Sequence, residues 1–506
     1  MITRKLVVVA SVTALVASVF AMGGASTAHG SSSGAIVPLA LTVPRTAAVF
    51  PAHADAYTYC TLPDRSSVDY FHCYTPQQIR SFYGVDQVAS INGHPNYGKG
   101  QTIVLVDAYG SPTAASDLQT FHDKFFPNLP IPNFIQEFPQ GNPQYNNTAN
   151  GQGLAGSNGA AGWSGEATLD IEWAYAIAPE AHIVLLAVPP AETEGVQGYP
   201  NLFKAISGEI DATPPGTVFS MSFASTEQAF GGAAASQVAK FDQVFQKGIV
   251  KGDNFFGATG DTGTVNSSKL QKDGVNYSYP TVNWPASSPY VVAVGGTQVQ
   301  SGWTWDPTSN TAFTSSGFND AYWQSTDSGN SQAVWNESWG PIGSGGGVST
   351  IYPEPTWQNQ VGSFTGRTIP DVSWNSAVNG GVDVYISAYP QYNCGQSTGC
   401  WTIYGGTSAA TPQTAATIAL VNAARASENK APIGFLDPIL YSGIGASAYN
   451  DVVPHSYGTA TAGELNSNQM WDSTVLGNPT KGGYDLTTGW GTPQVNTLIS
   501  TLFERP

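Results

Sequence analysis

Apolar residues fall in short continuous runs rather than in strict alternation. Gln101–Asp107, His182–Val188, Thr217–Phe223, Phe255–Ala258 and Tyr290–Val294 are such runs. Unbroken apolar stretches of four to seven residues bounded by Gly, Pro or Asn predict strands buried on both faces. Between them the spacing changes to a helical one, over Glu166–Ile177, Ala233–Gly248 and Ala409–Ala426. Strands alternating with helices predict an α/β fold, a mostly parallel sheet with helices on both sides. In such sheets the chemistry gathers at the carboxyl ends of the strands and at the helices that follow. The Trp-, Asn- and Gly-rich stretch 300–348 reads as loops and hairpins without assignable chemistry, and no internal repeat is present.

The N-terminus has a different texture. Arg4 and Lys5 precede an apolar run from Leu6 to Met22, and small residues follow at Ser26-Thr27-Ala28. This is the layout of a secretory signal peptide, residues 1–28, so the expected location is extracellular. Residues 29–73 form an arm whose first part, to about 56, is Ala/Ser/Pro-rich and without periodicity. A single large domain is expected over 74–506. No later stretch is apolar enough to span a bilayer. Four cysteines fall in two local pairs, Cys60/Cys73 and Cys394/Cys400. Export favours disulfides over thiols or zinc, with the connectivity open.

Composition narrows the partners. Lys and Arg total 18 against 35 Asp and Glu, a net charge of −17. Phosphate binding needs clustered cations, so nucleic acid is not an expected partner. Charged residues are only 10% of the chain, a composition that suits an acidic medium in which carboxylates are protonated.

Three segments carry chemistry. Tyr404-Gly-Gly-Thr-Ser-Ala-Ala-Thr-Pro412 combines glycines for a tight turn with a proline suited to a first helical turn. Ser408 is thereby expected at or just before a helix N-terminus, where N–H groups favour an oxyanion, although an ordinary Ser N-cap has the same look. A serine nucleophile needs a base. None of the seven histidines (29, 53, 72, 94, 122, 182 and 455) sits in a Gly-rich setting of the kind a His-dependent subtilase uses. Ser164-Gly-Glu-Ala-Thr-Leu-Asp-Ile-Glu-Trp173 offers Glu166 and Asp170 instead. Four residues apart, they share a helix face with Cβ atoms about 5–6 Å apart. Two close carboxylates share a proton and raise one apparent pKa, as a general base and its orienting partner require. An isolated acidic pair of this spacing is ordinarily a solvated face, but Leu169, Ile171, Trp173 and Ala174 surround this one. Third, Phe256-Gly-Ala-Thr-Gly-Asp-Thr-Gly263 ends a strand in a turn that presents Asp261. Such a residue is an ordinary turn aspartate unless it lies near Ser408, where its protonated form could donate to an oxyanion.

In this order the three segments resemble the motifs of the sedolisin (serine-carboxyl) peptidase family, of the kumamolisin and tripeptidyl-peptidase type. The resemblance runs from about Cys73 to Pro493. It implies a subtilisin-like fold, with Ser408 as nucleophile, Glu166 as base, Asp170 as its partner and Asp261 as oxyanion acid. Asp107, closing the first strand, would extend the carboxyl network or cap a loop. The Ser220-Met-Ser-Phe223 run resembles the strand lining the substrate cleft, with Ala224 where relatives commonly have Gly. The family also implies one structural Ca2+, held by Asp451, Asp485 and the carbonyls of Val452, Lys481 and Gly483, with an inserted loop at about 455–478. Family precursors carry a large propeptide, for which 29–73 is too short.

The function expected is that of a secreted, monomeric, acid-active endopeptidase acting on proteins or peptides. A tripeptidyl-peptidase mode and a catalytically silent binding module on the same fold are the alternatives.

Overall fold

The computed structural model describes residues 37–39, 41–42, 73–143, 145, 159–189, 196–266, 276–299, 332–337, 341–393, 397–454, 466–470 and 473–505. The proposed signal peptide and much of the 455–478 loop lie outside these residues. Eight strands form the central sheet: β1 (Thr102–Ala108), β2 (Phe134–Glu137), β3 (His182–Val188), β4 (Val218–Met221), β5 (Asn254–Ala258), β6 (Val292–Val299), β7 (Gln332–Val334) and β8 (Val372–Asn375). Their order is β7-β6-β5-β4-β1-β3-β2, with β8 also beside β6. Every pairing is parallel except β6 with β7.

All seven residues of β1 are buried. Ile103 and Leu105 join one core, with α1 (Ala114–Phe125), α2 (Ala160–Ile177), α5 (Thr407–Ser427) and α6 (Val495–Phe503). Val104 and Val106 join the other, with α3 (Tyr199–Ala212) and α4 (Ala234–Lys251). Burying alternate side chains of one strand in two cores is what makes its sequence continuously apolar. The helix α2 is buried from Ala160 to Ile177 apart from Gly162, its three carboxylates included. A helix of that kind can only be central.

Several expectations change. Helices α1, α3 and α6 and the short helix Pro76–Phe82 were not foreseen. The 300–348 stretch supplies β7 to the main sheet. An antiparallel pair, Gly381–Ile386 with Cys400–Gly405, forms a second sheet beside the first. Pro412 lies in the second turn of α5, not the first, because the helix begins at Thr407. Its ring removes the N–H that would have bonded the Ser408 carbonyl. Cys73 and Cys400 are both disulfide-bonded. Registered with Gly381 and Ile386, at opposite ends of one strand, they cannot be joined to each other. The remaining two cysteines lie outside the described residues. The apolar run at 6–22 also lies outside them, and among those described no helix is long and apolar enough to cross a membrane.

Candidate active site

The strand Cys400–Gly405 runs through Gly406 directly into α5. Gly406 has φ 97°, in the region that favours glycine. A Cβ at this position would fall 2.2 Å from the Leu39 carbonyl oxygen and 2.8 Å from Asp261 Oδ2. The tight turn makes Ser408 the second residue of the helix, fully buried, with its Oγ 3.4 Å from the Ser222 carbonyl oxygen, to which it donates.

Asp261 follows β5 and is fixed against the same helix start. Its Oδ1 accepts from the Thr407 N–H and from Thr407 Oγ1, both at 2.8 Å. Thr407 Oγ1 in turn accepts from the Gly260 N–H at 3.1 Å. Asp261 Oδ2 is buried and has no hydrogen-bond partner among the described residues. Burial pushes the Asp261 carboxyl up to about 7, with the Thr407 bonds pulling the other way. Below that pH it carries a proton and can donate.

Glu166 and Asp170 lie one turn apart on α2, both fully buried, and α2 packs directly on α5. Asp170 Oδ1 accepts from Ser222 Oγ at 3.0 Å. Ser222 therefore touches both sides of the site, Asp170 through its hydroxyl and Ser408 through its carbonyl. Burial, then Asp107 and then Glu166 raise the Asp170 pKa well above the carboxylate range, while the Ser222 bond opposes them. Asp107 lies at the carboxyl end of β1, its two oxygens buried without hydrogen-bond partners among the described residues. Burial raises it to about 8. Of its two expected roles, membership of the carboxyl network is the one this placement favours. Asp107, Ser222 and Asp261 all stand at or just past the carboxyl ends of adjacent strands, the position favoured for α/β sites.

Asp170 through Ser222 and Asp261 through Thr407 thus reach the helix start that carries Ser408, and Glu166 lies one turn from Asp170 on the helix packed against it. Sequence reasoning missed Ser222 as the link and Thr407 as the clamp on Asp261; their only signal was membership of the Ser220–Phe223 and Tyr404–Pro412 runs. Two of the described histidines have side-chain partners elsewhere: His122 the Tyr175 hydroxyl at 2.7 Å and His182 the Asn133 side chain at 3.0 Å.

In the C-terminal region, Asp451 Oδ2 accepts from the Gly483 N–H at 2.7 Å and Asp485 Oδ2 from the Lys481 N–H at 2.9 Å. Asp485 Oδ1 also accepts from the backbone and hydroxyls of Thr487 and Thr488. Two carboxylates therefore reach one loop, Lys481–Gly483, through its backbone N–H groups. Among the described residues no cluster of three or more His, Cys, Asp or Glu could hold a metal, so any ion here would depend on backbone carbonyls as well.

No family model matches the chain. Kumamolisin from Bacillus sp. (strain MN-32) is 29% identical over 331 residues, covering 63% of this chain and 50% of kumamolisin. Tripeptidyl-peptidase 1 from Rattus norvegicus is 26% identical over 394 residues, 76% of this chain and 59% of that protein. The chain thus spans between half and three-fifths of these relatives. Among solved structures, Pseudomonas sedolisin, a serine-carboxyl proteinase complexed with two molecules of pseudo-iodotyrostatin, aligns with a TM-score of 0.60 at 22% identity. That alignment covers 85% of this chain and 98% of the other, and shares the fold.

Proposed function

We propose that the chain is a serine-carboxyl peptidase of the sedolisin type, a secreted, acid-active endopeptidase of proteins and peptides, a reading supported by its likeness to kumamolisin and tripeptidyl-peptidase 1. Ser408 Oγ attacks the scissile carbonyl while Glu166 takes its proton. Asp170, held by Ser222, orients Glu166 and shares its charge burden with Asp107. The tetrahedral oxyanion is held by the Ser408 N–H and by protonated Asp261. Glu166 returns the proton to the leaving amine, and water cleaves the acyl-enzyme by the same route. The observation that carries this reading is Asp261: one oxygen pinned by Thr407, the other buried beside the turn that presents Ser408.

One Ca2+, taken by Asp451, Asp485 and the carbonyls of Val452, Lys481 and Gly483, would tie the 481–485 loop to Asp451 and lend stability without touching the reaction. Chelation is then expected to lower the melting temperature of Ser408→Ala protein, and calcium to restore it; an unmoved transition rejects the ion.

The test of the activity is turnover of a denatured protein substrate at acid pH beside Ser408→Ala and Glu166→Gln. Each variant should lose about 10³-fold or more in kcat. Retained turnover in Ser408→Ala contradicts the mechanism. Products longer than three residues are expected, and tripeptides alone would reassign the mode.

A further inference from the structure

The Asp261 carboxyl meets the helix start through a chain of hydrogen bonds whose direction is fixed at both ends. Backbone N–H groups can only donate. The Gly260 N–H donates to Thr407 Oγ1 at 3.1 Å, and the Thr407 N–H donates to Asp261 Oδ1 at 2.8 Å. Thr407 Oγ1 therefore gives one lone pair to Gly260 and directs its own proton to Asp261 Oδ1, also at 2.8 Å. Both lone-pair sites of Oδ1 are then taken, so an acid proton has room only on Oδ2. Oδ2 is buried and meets no hydrogen-bond partner among the described residues. The turn that carries Asp261 is braced from the other side. Asn283 Nδ2 donates to the Thr259 carbonyl at 3.0 Å, the Gly345 N–H to the Gly260 carbonyl at 2.7 Å and the Gly343 N–H to the Asp261 carbonyl at 2.9 Å. These three bonds fix the backbone and leave the rotation of the carboxyl to Thr407.

We propose that Thr407 is a positioning residue whose hydroxyl keeps the Asp261 proton on Oδ2, free to reach the oxyanion, and sets the upper pH limit of peptide hydrolysis. This rests on the peptidase reading above and adds what bounds the working range of the same site. The hydroxyl has two opposed effects. By holding Oδ1 as an acceptor it orients the acid and speeds the reaction in acid. The same bond favours the carboxylate, so it brings the loss of the donor to lower pH. Burial raises the Asp261 carboxyl, and the backbone and side-chain bonds from Thr407 oppose it. The other carboxyls near the helix start act elsewhere, Asp107 and Glu166 on Asp170. Among the described residues no charged group adds to the causes that act on Asp261. Thr407 is therefore the one side chain through which the limit is tuned.

The test is the pH profile of kcat and kcat/KM on an internally quenched peptide, for wild type beside Thr407→Val, Thr407→Ala and Thr407→Ser. Wild type should lose activity as pH rises through about 7. Thr407→Val keeps the shape and removes the hydroxyl. It should lower kcat in acid by about 10-fold, leave KM within about twofold, and move the alkaline limb up by about one pH unit. Thr407→Ser restores the hydroxyl and should return the limb to its wild-type place with most of the lost kcat. A residue that served only the fold would lower the melting temperature, or the rate at every pH, and leave the limb where it was. Thr407→Ala reads the same limb should Thr407→Val fold poorly. A limb that stays in place or moves down in the variants without a hydroxyl overturns the inference and leaves the peptidase reading standing. Absence of any Ser408-dependent hydrolysis by wild type removes both.

Discussion

The helix α2 carries two buried acidic clusters on different faces, and only one of them adjoins the nucleophile. On one face Asp170 lies near Asp107 and Glu166; on the other Glu172 lies near Asp117 and Asp383. Burial is the main cause that raises both Asp170 and Glu172 well above the ordinary carboxylate range. The surroundings differ. Glu172 accepts the Tyr385 N–H at 3.0 Å, and Asp117 accepts from Thr113 Oγ1, from the Ser387 N–H and from Ser387 Oγ. These bonds stitch α1 and α2 to the Gly381–Ile386 strand and its continuation. The other cluster is bonded to Ser222, whose carbonyl accepts from Ser408 Oγ. A perturbed pKa therefore marks burial on both faces, and adjacency to a nucleophile at the strands' carboxyl ends distinguishes the working one.

The sharpest way to break this comparison is to neutralise each face. Glu166→Gln should lower kcat by about 10³-fold or more, whereas Glu172→Gln should stay within about threefold of wild type per folded molecule. Equal losses in the two would dissolve the distinction, and steady-state kinetics on one substrate decides it. Asp170→Asn comes next, with about 10- to 100-fold lost from kcat and little change in KM, since Asp170 acts through Glu166. Glu172→Ala should instead cost about 2–4 kcal/mol of stability, read by denaturant unfolding, by leaving the Tyr385 N–H without its acceptor and opening a cavity.

Both faces contribute with one sign to the dependence of stability on pH. Asp107, Asp170, Glu172 and Asp261 all have folded pKa values above those of the unfolded chain. The folded state therefore binds more protons, and the stability they confer is present in acid and lost as pH rises from about 4. That loss continues through about 7 for Asp261 and about 8 for Asp107. The melting temperature of Ser408→Ala protein, which cannot digest itself, should fall between pH 4 and pH 8; a rise would reverse the sign assigned to these groups.

How much was legible beforehand depended on how locally each feature is encoded. The strands β1 and β3 declare themselves because burial on both faces makes every position apolar, and β3 spans His182–Val188 as its sequence suggests. The register of Glu166 and Asp170 follows from helical spacing alone. Ser222 and Thr407 were not legible as functional residues. Their partners lie 52 and 146 positions away, and nothing in a short hydroxyl side chain announces a distant carboxylate. The arm showed no periodicity because two-residue strands have no period to detect; Val37–Pro38 and Leu41–Thr42 are placed by the strands they pair with. Helices α1 and α3 escaped because their polar faces interrupt the apolar spacing.

The central claim is that a carboxylic acid, not an imidazole, sets the pH range in which the oxyanion is stabilised. It is tested most directly by the pH profile of kcat/KM for wild type beside Asp261→Asn. Wild-type activity should decline as pH rises through about 7, where the Asp261 donor becomes a carboxylate facing the oxyanion. Asn cannot lose that proton, so the variant should be slower in acid and lack the step near neutrality. A wild-type profile flat from acid to about pH 8, or the same step in both proteins, would contradict the account.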